Sequence, residues 1–151
     1  MTLELTPDEL AGIVDLFGAL TDAELHQAAK ELAFKDGVAP PPESIVEDAI
    51  ATYHLVRTDE LLVVGPTAFP TLPADAVDLP HILQIERRAV DRDAIGNAVE
   101  RRFRQETAQA VAADDHETIR RLLDVSYDLE TWTAVDLEEV RSLLPEPTQS
   151  V

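Results

Sequence analysis

Twice near its start the chain spells a helix-start signature, and this punctuation constrains the fold more than any other feature. In Thr6-Pro7-Asp8-Glu9, Thr6 can cap, Pro7 suits the first helical position and Glu9 completes a capping box. Leu10, Ile13, Val14, Phe17 and Leu20 then share one helical face, predicting a first helix that ends near Leu20. Thr21-Asp22-Ala23-Glu24 repeats the signature, and Leu25, Ala28, Ala29, Leu32 and Ala33 give the second helix its apolar face. Gly37 and the run Pro40-Pro41-Pro42 stop it. A third helix is expected from Glu43 to about Tyr53, with Ile45, Ala49, Ile50 and Tyr53 inward.

The stretch YHLVRTDELLVVGP then changes period. LVR, a polar TDE turn and LLVV read as a β-hairpin closed by Gly65-Pro66. Prolines 66, 70, 73 and 80 follow without helical periodicity. A flexible linker is polar and glycine-rich. This segment instead carries Phe69, Leu72, Val77 and Leu79, so it reads as an ordered connector anchored by those residues. The sharper alternative is a docking strip for a partner.

Farther along, Ile95, Val99, Phe103 and Ala110 predict a long helix from about Arg92 to Ala113. Asp114, with Glu117 three residues later, is expected to cap the next, with Ile119, Leu122 and Leu123 inward. VSYDLETW is expected as a loop or short turn that anchors Tyr127 and Trp132. Asp136 and Glu139 start a last short helix bearing Leu137, Val140 and Leu143. The expected class is mainly α, a helical bundle with one small β-hairpin. Residues 1–66 form three helices plus the hairpin, 67–85 the proline-rich connector, 86–144 C-terminal helices packed on the first part, and 145–151 a frayed tail.

The 151 residues hold 30 acidic and 12 basic side chains, a formal charge of −18, and ten of the twelve cations are arginine. The carboxylates are spread through amphipathic segments and do not form a tail. An evenly acidic, lysine-poor surface suits a cytosolic protein of an extreme halophile, because molar salt shortens the Debye length to about 3 Å and screens self-repulsion. The absence of cysteine excludes disulfides and thiolate chemistry. No apolar run reaches membrane-spanning length, and MTLELTPDEL has no basic start or apolar stretch of a signal peptide, so the expected place is the cytoplasm, with no membrane partner.

The arginines are uneven. Residues 1–84 hold 15 acidic and 3 basic residues, whereas 85–121 hold 8 of each. This relatively cationic island contains Arg87, Arg88, Arg92, Arg101, Arg102, Arg104, Arg120 and Arg121. Arginine serves both partner interfaces and anion contacts. The competing reading is intramolecular pairing with Asp91, Asp93, Glu100 and Glu106, or with the acidic N-terminal half; Glu100 to Arg104 has the favourable order. His26, His54, His81 and His116 show no metal-ligand spacing, the five glycines form no phosphate loop, and no nucleophile motif occurs. No cofactor and no catalytic residue is expected.

The stretches LTPDELAGIVDLFGALT, AFPTLP, DLPHIL and LLDVSYDLETW resemble a small family of uncharacterised haloarchaeal proteins, a domain of unknown function. That resemblance implies a halophilic, cytosolic protein and no activity. In element order, residues 6–66 resemble a winged helix, a fold that reads DNA or binds protein. Its third helix, ESIVEDAIATY, offers a major groove no cation, and the hairpin has only Arg57. The resulting expectation is a non-enzymatic interaction or regulatory module that binds a protein. Its candidate surface is Arg87, Arg88, Arg92, Arg101, Arg102, Arg104, Phe69 and Trp132. The alternative is a nucleic-acid-binding regulator using the arginines of 87–104.

Overall fold

The computed structural model describes residues 1–133 and 135–143; the expected frayed tail lies outside the described residues, as does the side chain of Leu143. The fold is mainly α, with seven helices and one two-stranded antiparallel hairpin among the described residues. It divides into two compact units, Met1–Val90 and a second beginning at Asp91.

In the first unit, α1 (Pro7–Phe17) and α2 (Asp22–Asp36) both begin with complete capping boxes, at Thr6/Glu9 and Thr21/Glu24. Helix α1 ends three residues earlier than its apolar spacing suggests. Gly18, at φ 82°, turns the chain out of the helix. Leu20 instead forms a bridge to Leu62, donating to its carbonyl (3.1 Å) and accepting from its amide (2.6 Å). Helix α2 closes on Gly37 in the left-handed region, and Val38 N–H reaches back to the Ala33 carbonyl.

Helix α3 (Ser44–Ala51) is shorter than expected and buries Val46 and Ala49, while Ile45 and Ile50 are half-buried. Ala49 and Tyr53 are buried as the pattern predicts, Ile45 and Ile50 pack against the core from its edge, and Val46 is the buried residue the pattern missed. The end of α3 repeats the geometry seen at Gly37, with Tyr53 at φ 64° and His54 N–H bonded to the Ala49 carbonyl. A buried tyrosine in this conformation costs roughly 1–2 kcal/mol locally. Burial of its ring in the core offsets that cost.

Strands β1 (Leu55–Thr58) and β2 (Leu61–Val64) pair Leu55 with Val64 and Thr58 with Leu61. Asp59 and Glu60, both at positive φ, form the two-residue turn that such a register needs. Leu20, Leu55 and Leu62 join Leu10, Ile13, Val14, Phe17, Leu25 and Leu32 in one apolar cluster.

The connector folds onto this unit, and it contains a short helix, α4 (Leu79–Leu83), that its prolines had hidden. Ala76 and Leu79 enter the core cluster. Phe69, Leu72 and Val77 do not, which corrects their expected role as anchors. The attachment is made by backbone. Thr71 N–H donates to the Asp8 carbonyl (3.0 Å) and Phe69 N–H to Asp8 Oδ1 (3.0 Å). The chain can lie this close because Gly12 has no side chain; a Cβ there would overlap the Thr71 carbonyl.

In the second unit, α5 (Arg92–Ala113) buries Ile95, Val99, Phe103 and Ala110 as its spacing requires. Asp114 does not cap the following helix. It takes φ 54° and closes α5, and Asp115 caps α6 by accepting from Thr118 N–H. Adjacent aspartates made either assignment possible; the left-handed residue between two helices decides it. Helix α6 (His116–Trp132) then runs through VSYDLETW, which is helix and not loop. Val125, Ser126 and Leu129 continue the face begun by Ile119 and Leu122. Leu123 is half-buried. Helix α7 (Glu138–Leu143) follows, with Leu137 and Val140 buried. No helix among the described residues is long and apolar enough to cross a membrane.

Candidate functional site

The six candidate arginines fall into two groups, two in the first unit and four in the second. Arg87 donates through Nη1 to the carbonyls of Asp15 (2.6 Å) and Leu16 (3.2 Å), satisfying acceptors at the end of α1. Arg88 grips Glu24 with both terminal nitrogens (2.6 and 2.9 Å) and adds the Ala19 carbonyl (3.1 Å). Its own amide donates to Phe17, and its carbonyl lies where a Cβ on Gly18 would be. Residues 87–88 therefore fasten the end of the first unit across the α1–α2 corner.

This pairing has a pH signature. The Arg88 guanidinium hydrogen bond holds the Glu24 carboxyl at about 2, below its ordinary 4.5. A depressed folded-state value means the carboxylate stabilises the fold above pH 4.5, and that contribution is lost as pH falls toward 2. Glu24→Gln is expected to lower stability by about 1.5–3 kcal/mol near neutrality. The loss should shrink as pH drops from about 5 to 2, measured by urea unfolding at stepped pH.

In the second unit Arg92 stacks over Trp132, 4.9 Å from the ring centroid, and donates to its carbonyl at 3.3 Å. Trp132 is thus a half-buried helix-end residue covered by a cation, and not an exposed anchor. Arg102 pairs with Glu106 and Arg104 with Glu100, each at 3.0 Å along α5. Arg101 is exposed and has no ion-pair partner among the described residues. The intramolecular pairings weighed from the sequence account for three of the six side chains, Arg88, Arg102 and Arg104, while Arg87 caps carbonyls and Arg92 covers Trp132 instead. Sequence reasoning overlooked Arg141, which binds Glu130 (2.7 Å) and stacks on Tyr127 (4.5 Å). Its acidic surroundings in sequence hid it.

The hairpin's cation is likewise occupied: Arg57 reaches Asp22 (2.8 Å) and Glu47 (3.0 Å). On α3 and the turn, Glu43, Glu47, Asp48, Asp59 and Glu60 are exposed. His54 lies 3.6 Å from Asp8 and shares a 2.7 Å hydrogen bond with Thr52, and His116 lies 3.5 Å from Asp114. Among the described residues no three potential metal ligands converge.

The connector presents a different surface. Phe69 is 80% exposed and Val77 66%, with Leu72 and Ile82 also open. Between them, Ala76 and Leu79 are fully buried, and the bonds to Asp8 hold residues 69 and 71. Four large apolar side chains are therefore displayed from a segment whose backbone is fixed. Sequence reading found the segment and the anchor Leu79 but placed Phe69, Leu72 and Val77 inward, because an aperiodic proline-rich stretch carries no pattern from which facing can be read.

Residues 8–149 match the model of a family described as a family of unknown function (DUF7109). No curated protein and no solved structure matches the chain.

Proposed function

We propose that this chain, which belongs to the family of unknown function DUF7109, is a non-enzymatic module that binds a protein through its proline-rich connector. The observation that carries this reading is the display of Phe69, Leu72, Val77 and Ile82 from an anchored backbone. Exposed apolar side chains on a rigid frame lose little freedom on binding, which favours association. Prolines at 66, 70, 73 and 80 restrict the segment further.

Winged-helix likeness of the first unit is part of the proposal. It is supported by the order α1, Leu20 bridge, α2, α3, β1, β2. Use of that unit on DNA is disfavoured by the carboxylates of α3 and by the neutralised Arg57. The even acidity supports a halophile's cytoplasm as the setting. There, lowering KCl from molar to dilute concentrations should lower the melting temperature by many degrees, and an unchanged value would contradict the halophile reading.

The binding test is affinity capture from a molar-KCl lysate, scored for protein and nucleic acid together. The wild-type chain is expected to retain a protein that Phe69→Ser/Val77→Ser loses, with no change in melting temperature. Recovery of nucleic acid alone, lost on Arg101→Glu, would replace this reading with the nucleic-acid one.

A further inference from the structure

Asp8 holds the connector twice, and its carboxylate also faces a histidine. Oδ1 of Asp8 accepts from Phe69 N–H at 3.0 Å, and the Asp8 carbonyl accepts from Thr71 N–H at 3.0 Å. His54 Nε2 stands 3.6 Å from the same Oδ1. The other ring nitrogen, Nδ1, lies 2.7 Å from Thr52 Oγ1. That hydroxyl is also within reach of the Asp48 carbonyl (3.1 Å) and the Ala49 carbonyl (3.2 Å) at the end of α3.

This cluster uses more protons than a neutral imidazole supplies. Thr52 has one hydroxyl proton. When it goes to a carbonyl, Nδ1 must carry the ring proton to bond Oγ1, and a neutral ring turns a bare Nε2 toward the Asp8 carboxylate. When the hydroxyl proton goes to Nδ1, Nε2–H faces Asp8, but Thr52 gives up its bond to the helix end. Only the doubly protonated ring serves Thr52, the carbonyl and Asp8 together, and it sets a positive charge beside Oδ1. Among the described residues, Asp8 of α1 is the charged group within ion-pair distance of His54. On α3 Glu47 is paired with Arg57 of β1, and Asp48 meets Thr52 through its carbonyl. Residues 61–74, which cover β2 and the start of the connector, contain no ionisable side chain.

We propose that His54 is a pH-sensitive latch on the connector. The charged ring pins the Asp8 carboxylate where Oδ1 accepts from Phe69 N–H, and loss of the ring proton frees it. A histidine beside a carboxylate stabilises the paired state at low pH, and that contribution is lost as pH rises through the titration of the ring. The connector is therefore held more firmly near pH 5 than near pH 8, the span over which histidine changes charge. This regulation rests on the reading of the connector as a docking strip, since a fixed backbone is what favours its association with a partner.

The test is amide hydrogen exchange of the free full chain in molar KCl, from about pH 5 to about pH 8, with rates corrected for intrinsic base catalysis. Protection of the Phe69 amide is expected to fall roughly twofold to fivefold across this span, the size of a partly exposed ion pair. His54→Gln should abolish the pH dependence. Asp8→Asn keeps an acceptor for Phe69 N–H and removes the charge, so it should also flatten the profile. His81→Gln, at an exposed site of α4, should leave the profile as in the wild type. Protection of Phe69 that is independent of pH in the wild type would overturn the proposal, as would a pH dependence that survives in both His54→Gln and Asp8→Asn. The exchange measurement needs no partner, so failure to capture a protein would defeat the docking reading and not the latch.

Discussion

Gly12→Val is expected to destabilise the first unit by about 3 kcal/mol or more, with a fall of roughly 10 °C in melting temperature. The sign is the informative part. Glycine inside a helix ordinarily costs about 0.5–1 kcal/mol relative to alanine, so filling such a position usually helps. Here a Cβ would overlap the Thr71 carbonyl oxygen, with the carbonyl carbon at 2.5 Å and the Thr71 nitrogen at 2.9 Å. All three are backbone atoms, so no rotamer change relieves the clash. Either α1 or the connector must move, and the bonds from Thr71 and Phe69 to Asp8 would be lost with it. Gly12→Ala should show the same sign with a smaller size. Faster hydrogen exchange at the Thr71 amide would show that the connector is what yields.

Phe17→Ala should cost about 3–5 kcal/mol, the range for removing a buried phenyl ring. Phe17 is fully buried in the core cluster of the first unit, and the turn that follows it cannot easily collapse into the void. The Arg88 carbonyl packs closely over Gly18, and the Phe17 carbonyl accepts from Arg88 N–H. Denaturant unfolding monitored by circular dichroism measures the change. A loss below about 1 kcal/mol would mean that the site relaxes and that the strap at residues 87–88 is not rigid.

The chain's own punctuation made most of the helices legible. Two capping boxes placed the starts of α1 and α2, and the spacing of Ile95, Val99 and Phe103 placed α5. What the sequence hid were backbone decisions. Tyr53 and Asp114 take the left-handed conformation usual for glycine, so α3 stops before its expected end, and Asp114 closes α5 at the expected Ala113 where it was expected to cap α6. Helix α6 was missed in its second half because Tyr127 and Trp132 look like loop anchors. In the structure they lie on the helix and are covered in part by Arg141 and Arg92. The same contacts explain why the arginine island looked like a surface in sequence. Its partners Glu24 and Trp132 are 64 and 40 residues away from Arg88 and Arg92. The connector was legible as an ordered segment, but its facing depends on Gly12 and Asp8 of another element, which no local pattern encodes.

That connector carries the central claim, and hydrogen exchange on the complex captured at molar KCl tests it most directly. Binding is predicted to slow exchange at the amides of residues 69–82 and to leave α5 around Arg101 unchanged. Slowed exchange at Arg101 and its neighbours on α5, with the connector unaffected, would contradict it.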